Sequence, residues 1–266
     1  MKYIIPNLPK YFRNYYEPFV GGGSVYTSIK SKKAFINDNS KELIDIYKII
    51  KSTERNVFFN ALYEIVNNWK ILESITENNK LFFIKLYKKY SDNRIYILNI
   101  KNQLCEFILK HFKRLNSIFS SVFNFNADNF INEIKINLIR KIKRMKELEI
   151  KKNKLSDKDI LDNIETAFKS AFYMHFRYLY NSDKKYNLNK DCSTAIFLFI
   201  RNFAYAGMFR YNSKGEFNVP YGGIGYNKKN FEKKIKYLKS DGLQQHLQNV
   251  TIENADFEIF FQKYSL

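Results

Sequence analysis

Glu17-Pro18-Phe19-Val20-Gly21-Gly22-Gly23-Ser24 follows an aromatic, apolar run beginning at Tyr15, and this order of residue types can hold a ligand. Glycines after a first strand let the backbone approach a ligand closely and leave N–H groups of the next helix free for it. Asp38 ends the next short apolar run, Ala34-Phe35-Ile36-Asn37. Nucleotide-type folds place an acid there, and a carboxylate can accept from both hydroxyls of a ribose. A glycine triplet also makes tight turns, and Asp38 with Asn39 can simply start one. These two features alone leave ligand binding and turn formation as alternatives.

The elements that must position them follow from the pattern. The run from Tyr15 to Val20 reads as a strand, Ser24 to Lys30 as a helix start, and Ala34 to Asn37 as a second strand. Ser40 is an N-cap for a helix through Lys51, with Leu43, Ile46, Tyr47 and Ile50 on one face. Strand, glycine turn, helix, strand, acid, helix opens an α/β fold. Ala195 to Ala204 reads as a buried helix, and Asn227 to Lys239 as a basic amphipathic one. Between them, Tyr205 to Gly222 alternates aromatics around Asn212-Ser213-Lys214-Gly215, which predicts a hairpin or ordered loop. Val250-Thr251-Ile252 is a further short strand, followed by Asn254-Ala255-Asp256-Phe257 and a last helical run toward Tyr264.

Three of these strings, in this order, resemble motifs of the Dam-type DNA adenine-N6 methyltransferases. Glu-Pro-Phe-Val-Gly-Gly-Gly-Ser with the later Ile-Asn-Asp-Asn is similar to that family's first two motifs. The run from Tyr205 to Gly222 is similar to its DNA-contacting hairpin, and Asn254-Ala255-Asp256-Phe257 to its next motif. The resemblance implies a Rossmann-like, S-adenosylmethionine-dependent methyltransferase core with a helical insertion. It implies S-adenosylmethionine held by Pro18, Phe19, Gly21, Gly23, Asp38, Asp256 and Phe257. It implies DNA contact by Tyr205, Arg210, Asn212, Lys214, Asn218, Pro220 and Tyr221. A base inside the stack cannot be methylated, so it must be flipped out, and a hairpin of aromatics and cations can grip the gap. Arg210 can donate bidentately to a guanine edge, Lys214 can meet a phosphate, and Tyr205 can stack. The bland alternatives pair Arg210 with Glu216, leave Lys214 in solvent and put Tyr205 in the core. One departure is Ala206, which stands where family members commonly have Asn.

Two family segments have no counterpart in the 266 residues. No Lys-Trp-Ala-Gly-Gly-Lys-like string precedes Tyr15, and Met1 to Lys10 resembles only its tail. The catalytic Asp-Pro-Pro-Tyr needs adjacent prolines, whereas those present are Pro6, Pro9, Pro18 and Pro220. Asn218-Val219-Pro220-Tyr221 lies within the hairpin string rather than after an apolar strand, so it does not serve. The expectation is a chain truncated at both ends that does not transfer methyl groups alone, with a C-terminal partner fragment or a continuing frame supplying the rest. A cognate restriction enzyme is the expected companion. The rivals are a non-catalytic DNA-binding remnant of the family and, from charge alone, an RNA-binding helical protein.

Residues 1–52 and 190–266 are expected to form the incomplete core, carrying the hairpin 205–222, and residues 53–189 a helical, DNA-recognising insertion. Within the insertion Gly and Pro vanish. Ile131, Ile134, Leu138, Ile139 and Ile142 share one helical stripe, and Ala167, Phe168, Ala171, Phe172 and His175 another. The basic segment Arg140 to Lys154 reads as a solvated helix face. A net charge of +19 suits a polyanion such as double-stranded DNA. The Lys-, Asn-, Ile- and Tyr-rich composition also fits AT-rich coding, with only nine arginines (13, 55, 94, 114, 140, 144, 177, 201 and 210). Cys105 and Cys192 form no metal-like cluster, no run reaches membrane-spanning length and no signal peptide is visible, so a reduced cytoplasmic setting is expected.

Overall fold

A computed structural model describes residues 2–9, 11–111, 113, 115 and 123–266; Met1, Lys10 and Arg114 of the sequence reading lie outside them. The described residues are mostly helical, with one small parallel sheet. They divide into two compact units, residues 1–60 with 232–266, and residues 61–231.

The first unit holds the sheet. Strands β1 (Asn14–Glu17), β2 (Lys33–Asn37) and β3 (Val250–Glu253) lie side by side in that order, all parallel. β2 is central and carries buried Ala34, Ile36 and Asn37, as a strand flanked on both sides should. Helix α1 (Lys41–Lys51) follows β2, and the Ser40 side chain accepts from Leu43 N–H as its N-cap. The sequence reading has the first strand running on to Val20, but it ends at Glu17 because Pro18 leads into the glycine turn.

Ser24 to Lys30 forms only a single 3-10 turn, Tyr26–Ser28, where a helix start is expected. Val25, Thr27 and Ile29 are β-branched and poor helix formers. Thr27 and Ser28 also donate their hydroxyls to the Gly23 and Ser24 carbonyls, competing with further backbone bonding. The glycine loop is therefore not followed by a full helix whose N-terminus could receive a ligand.

The second unit is a helical bundle. After the helix α2 (Asn56–Asn78), which begins in the first unit, come α3 (Lys80–Ser91) and α4 (Ile97–Lys110). Two 25-residue helices, α5 (Ala127–Lys151) and α6 (Asp157–Asn181), then pack along each other, and α7 (Lys190–Phe203) lies against α6. Both α6 and α7 are buried nearly all round, with Phe168, Phe172, Phe176, Ile196 and Phe199 inside. Each such side chain contributes about 1.5–3 kcal/mol of hydrophobic stabilisation. Helices α8 (Phe231–Lys239), α9 (Asp241–Gln248) and α10 (Phe257–Tyr264) complete the chain, α9 packing on α1 within the first unit.

The expected helix from Asn227 begins only at Phe231. Asn227 is buried, and its side chain is bonded to Thr166 and Tyr221 instead of serving a helix. Residues 190–231, hairpin included, group with the helices rather than with the sheet. The reason is packing: α7 and the hairpin's buried Phe217, Val219 and Tyr221 are held by α6.

Candidate functional site

The register aligns Glu17 with Ile36 and Asn37 with Glu253, so the C-terminal ends of all three strands meet at one edge of the sheet. In parallel sheets this edge is where ligands bind. The loops 18–25, 38–40 and 254–256 emerge there together.

Asn37 knits them. Its Nδ2 donates to the carbonyls of Pro18 (3.2 Å) and Ala255 (2.9 Å), and its Oδ1 accepts from Ala255 N–H at 2.9 Å. Its carbonyl accepts from Val20 N–H at 2.8 Å. Asn254 Nδ2 adds bonds to the carbonyls of Asp38 and Asn39. The sequence names Asn37 and Asn254 without giving either a role; the signal for Asn37 is a polar residue closing an otherwise apolar, buried strand.

Asp38 sits at the tip of β2. Its Oδ2 accepts from Gly21 N–H and its Oδ1 from Ser40 N–H, both at 2.9 Å. Turn formation and loop anchoring are thus both present, and a carboxylate with about four acceptor positions keeps two for a ligand hydroxyl pair. Gly21 and Gly23 have φ of +50° and +69°. A Cβ on Gly23 would stand 2.4 Å from the Tyr47 hydroxyl, which itself donates to the Gly21 carbonyl at 3.0 Å. Glycine at 23 is therefore fixed both by backbone sign and by close approach.

Phe19 and Phe257 meet at 5.4 Å between ring centroids, and Phe19 is 65% exposed although large and apolar. Asp256 caps α10, accepting from Glu258 N–H at 2.8 Å. Glu17, close by, donates nothing; it accepts from the Tyr15 hydroxyl at 2.9 Å, and burial raises its carboxyl pKa despite that bond. Six of the seven residues expected to hold the cofactor thus lie in the strand-end loops of one unit, and the seventh, Phe257, opens α10 beside them. Glycine cradle, exposed aromatic pair and spare carboxylate acceptors fit a nucleoside-bearing ligand.

The second cluster lies in the helical unit. Residues 204–222 form a hairpin through antiparallel bridges Ala204–Tyr221 and Tyr211–Phe217. At its tip Asn212 Oδ1 accepts from Lys214 and Glu216 N–H, and Gly215 takes φ +75°. Arg210 Nε donates to Asn218 Oδ1 at 2.9 Å, so its partner is Asn218 and not Glu216, which bonds Asn212. Arg210 and Lys214 are exposed, and Tyr205 is 54% exposed rather than core. Pro220 is exposed, and Asn212 and Asn218 are half-buried. Tyr221 differs: it is buried, with its hydroxyl donating to Asn227 Oδ1 at 2.8 Å, and it supports the hairpin from beneath. Ala206 takes a left-handed φ of +52° beside Gly207 at +64°, turning the chain sharply at the hairpin base.

No sequence motif marks the surface that docks the hairpin. Tyr173, Arg177 and Asn181, four residues apart on α6, bond the backbone of Val219 and Phe217. Spacing of i, i+4, i+8 puts all three on one helix face.

With this geometry in place, comparison with known proteins is decisive for the family. The model of the D12 class N6 adenine-specific DNA methyltransferases matches residues 1–162 and 101–265. The chain belongs to this family. Two curated relatives are similar over shorter stretches. The type II methyltransferase M1.LlaDCHI of Lactococcus lactis subsp. cremoris is 31% identical over 88 residues, 33% of this chain and 28% of its own length. The type II methyltransferase M.MjaIII of Methanocaldococcus jannaschii is 34% identical over 101 residues, 36% of this chain and 32% of its own length. The aligned stretches thus span about a third of these relatives. Among the described residues, no helix of this D12 class chain is long and apolar enough to cross a membrane.

Proposed function

We propose that this chain binds S-adenosylmethionine at the strand-end loops of a Rossmann-like core and serves methyl transfer to adenine N6 in a specific double-stranded DNA site. The observation that carries the reading is the convergence of Gly21, Gly23, Asp38, Phe19 and Phe257 at one sheet edge in a member of the D12 class. S-adenosylmethionine supplies the methyl group when bound. The chain's own residues hold it: Asp38 through ribose hydroxyls, the 21–23 loop through close backbone approach, Phe19, Phe257 and Asp256 around the adenine. The hairpin reads DNA, with Arg210 aimed at a base edge and Lys214 at a phosphate. A restriction–modification setting, with a cognate endonuclease in the cytoplasm, follows from likeness to two type II methyltransferases.

Calorimetry tests the cofactor half. Asp38→Ala weakens S-adenosylmethionine binding by about 1.5–3 kcal/mol, the value of hydrogen bonds to a charged group. Asp38→Asn keeps one acceptor oxygen for the Gly21 loop and loses less. Equal affinity in Asp38→Ala and parent would return Asp38 to a turn-forming role only.

Binding to matched and scrambled duplexes tests the DNA half. Arg210→Ala narrows the gap between preferred and random sequences by about 1–3 kcal/mol and leaves the salt dependence nearly unchanged. Lys214→Ala weakens all duplexes alike. Equal loss on every sequence from Arg210→Ala would make the hairpin a phosphate clamp.

A second reading, DNA binding without transfer, rests on the four isolated prolines, none of which completes Asp-Pro-Pro-Tyr within these residues. Label passing from S-adenosylmethionine to adenine decides for the enzyme; duplex binding without label decides for the second reading.

A further inference from the structure

A cleft of about 490 Å³ opens between α5 and α6 at the foot of the hairpin, where Tyr221 and Gly223 form part of its wall. The rest of one wall is cationic. Arg140, Lys141, Lys143 and Arg144 of α5 all line it, set on either side of the buried Ile142. The sequence alone reads this segment as a solvated helix face; its cations are mostly exposed, and four of them also border a concave surface.

The charge there is poorly neutralised. Arg140 donates to Asn137 Oδ1 at 2.5 Å, and that oxygen also accepts from Ser170 at 2.9 Å, so a neutral amide fixes the guanidinium. Arg144 pairs with Glu147 at 3.0 Å, both exposed, and such pairs hold little. Glu147 is the one acid among the lining residues. Lys141 and Lys143 have no carboxylate partner among the described residues. Burial and then the neighbouring Arg140 lower the Lys141 pKa, which marks an ammonium lacking a counter-ion. The Thr166 and Ser170 hydroxyls on the opposite wall already donate to the Asp162 carbonyl and to Asn137 Oδ1, which leaves the cations of α5 as the groups that can meet an anion.

We propose that this cleft grips the sugar–phosphate backbone of duplex DNA beside the hairpin. Anionic oxygens there would take the fixed guanidinium of Arg140 and the unneutralised ammonium groups of Lys141 and Lys143. Such contacts set register and affinity without reading sequence. The inference rests on the reading that the hairpin faces DNA, because the hairpin's return strand enters the cleft wall through Tyr221.

The test is fluorescence anisotropy with a labelled duplex between about 50 and 200 mM salt. Lys141→Gln with Lys143→Gln lowers the slope of log affinity against log salt by about 2, since each phosphate contact carries about 0.9. Across that range the parent's affinity falls about ten-fold more than the variant's, by the same counter-ion argument. Lys143→Glu alone, at an exposed position that cannot disturb the core, lowers affinity for all sequences alike. Lys101→Gln with Lys110→Gln, exposed on α4 and outside the cleft, makes the same charge change and has a smaller effect. If the cleft and α4 pairs behave identically, only bulk charge acts and the proposal is overturned. Should Arg210→Ala then still erase sequence preference, the hairpin reading survives without the cleft. A parent chain that binds no duplex overturns both, while retained S-adenosylmethionine binding in that chain would leave the cofactor reading intact.

Discussion

Glu73→Ala combined with Glu165→Ala lowers the stability of the helical unit by about 3–5 kcal/mol, as expected when a buried cation loses its counter-ions. Lys169 is fully buried at the centre of the bundle. Its Nζ donates to Glu73 Oε1 and Glu165 Oε1, both at 2.6 Å, and to the Asn227 carbonyl at 2.7 Å, which uses all three ammonium protons. It also lies 5.0 Å from the Trp69 ring centroid. Without the two acids the charge keeps one carbonyl and one ring face. Lys169→Met costs less than half as much, because Glu73 and Glu165 are 43% and 24% exposed and can rehydrate. Urea titration followed by Trp69 fluorescence reads both, since Trp69 is the sole tryptophan. A double-acid variant within about 1 kcal/mol of the parent, the range of exposed pairs, would show that water reaches Lys169.

This cluster also bears on function. The Asn227 carbonyl rests on Lys169, while its side chain takes the Tyr221 hydroxyl and Thr166. Tyr221 in turn pairs with Ala204 at the hairpin base. Loosening Lys169 therefore loosens the base of the hairpin that carries Arg210, and sequence preference should fall along with stability. The network runs from one buried lysine to the exposed Arg210.

The elements that were legible announced themselves by local chemistry. Ser40 before an apolar stripe gives α1, and Asn212-Ser213-Lys214-Gly215 gives the hairpin tip, because capping and turn residues act over three or four positions. What stayed hidden depends on distant partners. Lys169 is one lysine among many in this chain, and only the helix buried on every side makes it special. Tyr173, Arg177 and Asn181 share one helix face by spacing, but that this face meets the hairpin backbone is set by packing. The same ambiguity hid the cationic wall at Arg140 to Arg144, whose neighbour across the cleft is fixed by packing and not by spacing. Asp38 was visible as an acid after a strand, but its hold on Gly21 required the register of β1 and β2.

Acidification from pH 6.5 to 5 weakens the helical unit through His175 by about 2 kcal/mol, at about 1.4 kcal/mol per pH unit. His175 lies fully buried on α6 among Phe130, Phe176 and Tyr178, with Nδ1 3.0 Å from Asn129 Oδ1. Burial depresses its pKa to about 3. The folded chain therefore keeps the ring neutral where the unfolded chain, near its ordinary 6.5, already takes a proton. Above that value neither state binds the proton and the contribution is flat. Below it the unfolded state binds more, so stability falls with pH until the folded value is reached. The carboxylates of Glu149 and Glu253, whose pKa values hydrogen bonds lower, lose their contributions only below about 4.5, outside this window. Glu17 and Asp191, raised by burial, act in the opposite sense, and they cancel when parent and variant are compared. His175→Gln keeps a polar group toward Asn129 but does not titrate. Its stability between pH 6.5 and 5 should decline less steeply than the parent's, and parallel curves would mean that His175 is protonated inside the fold.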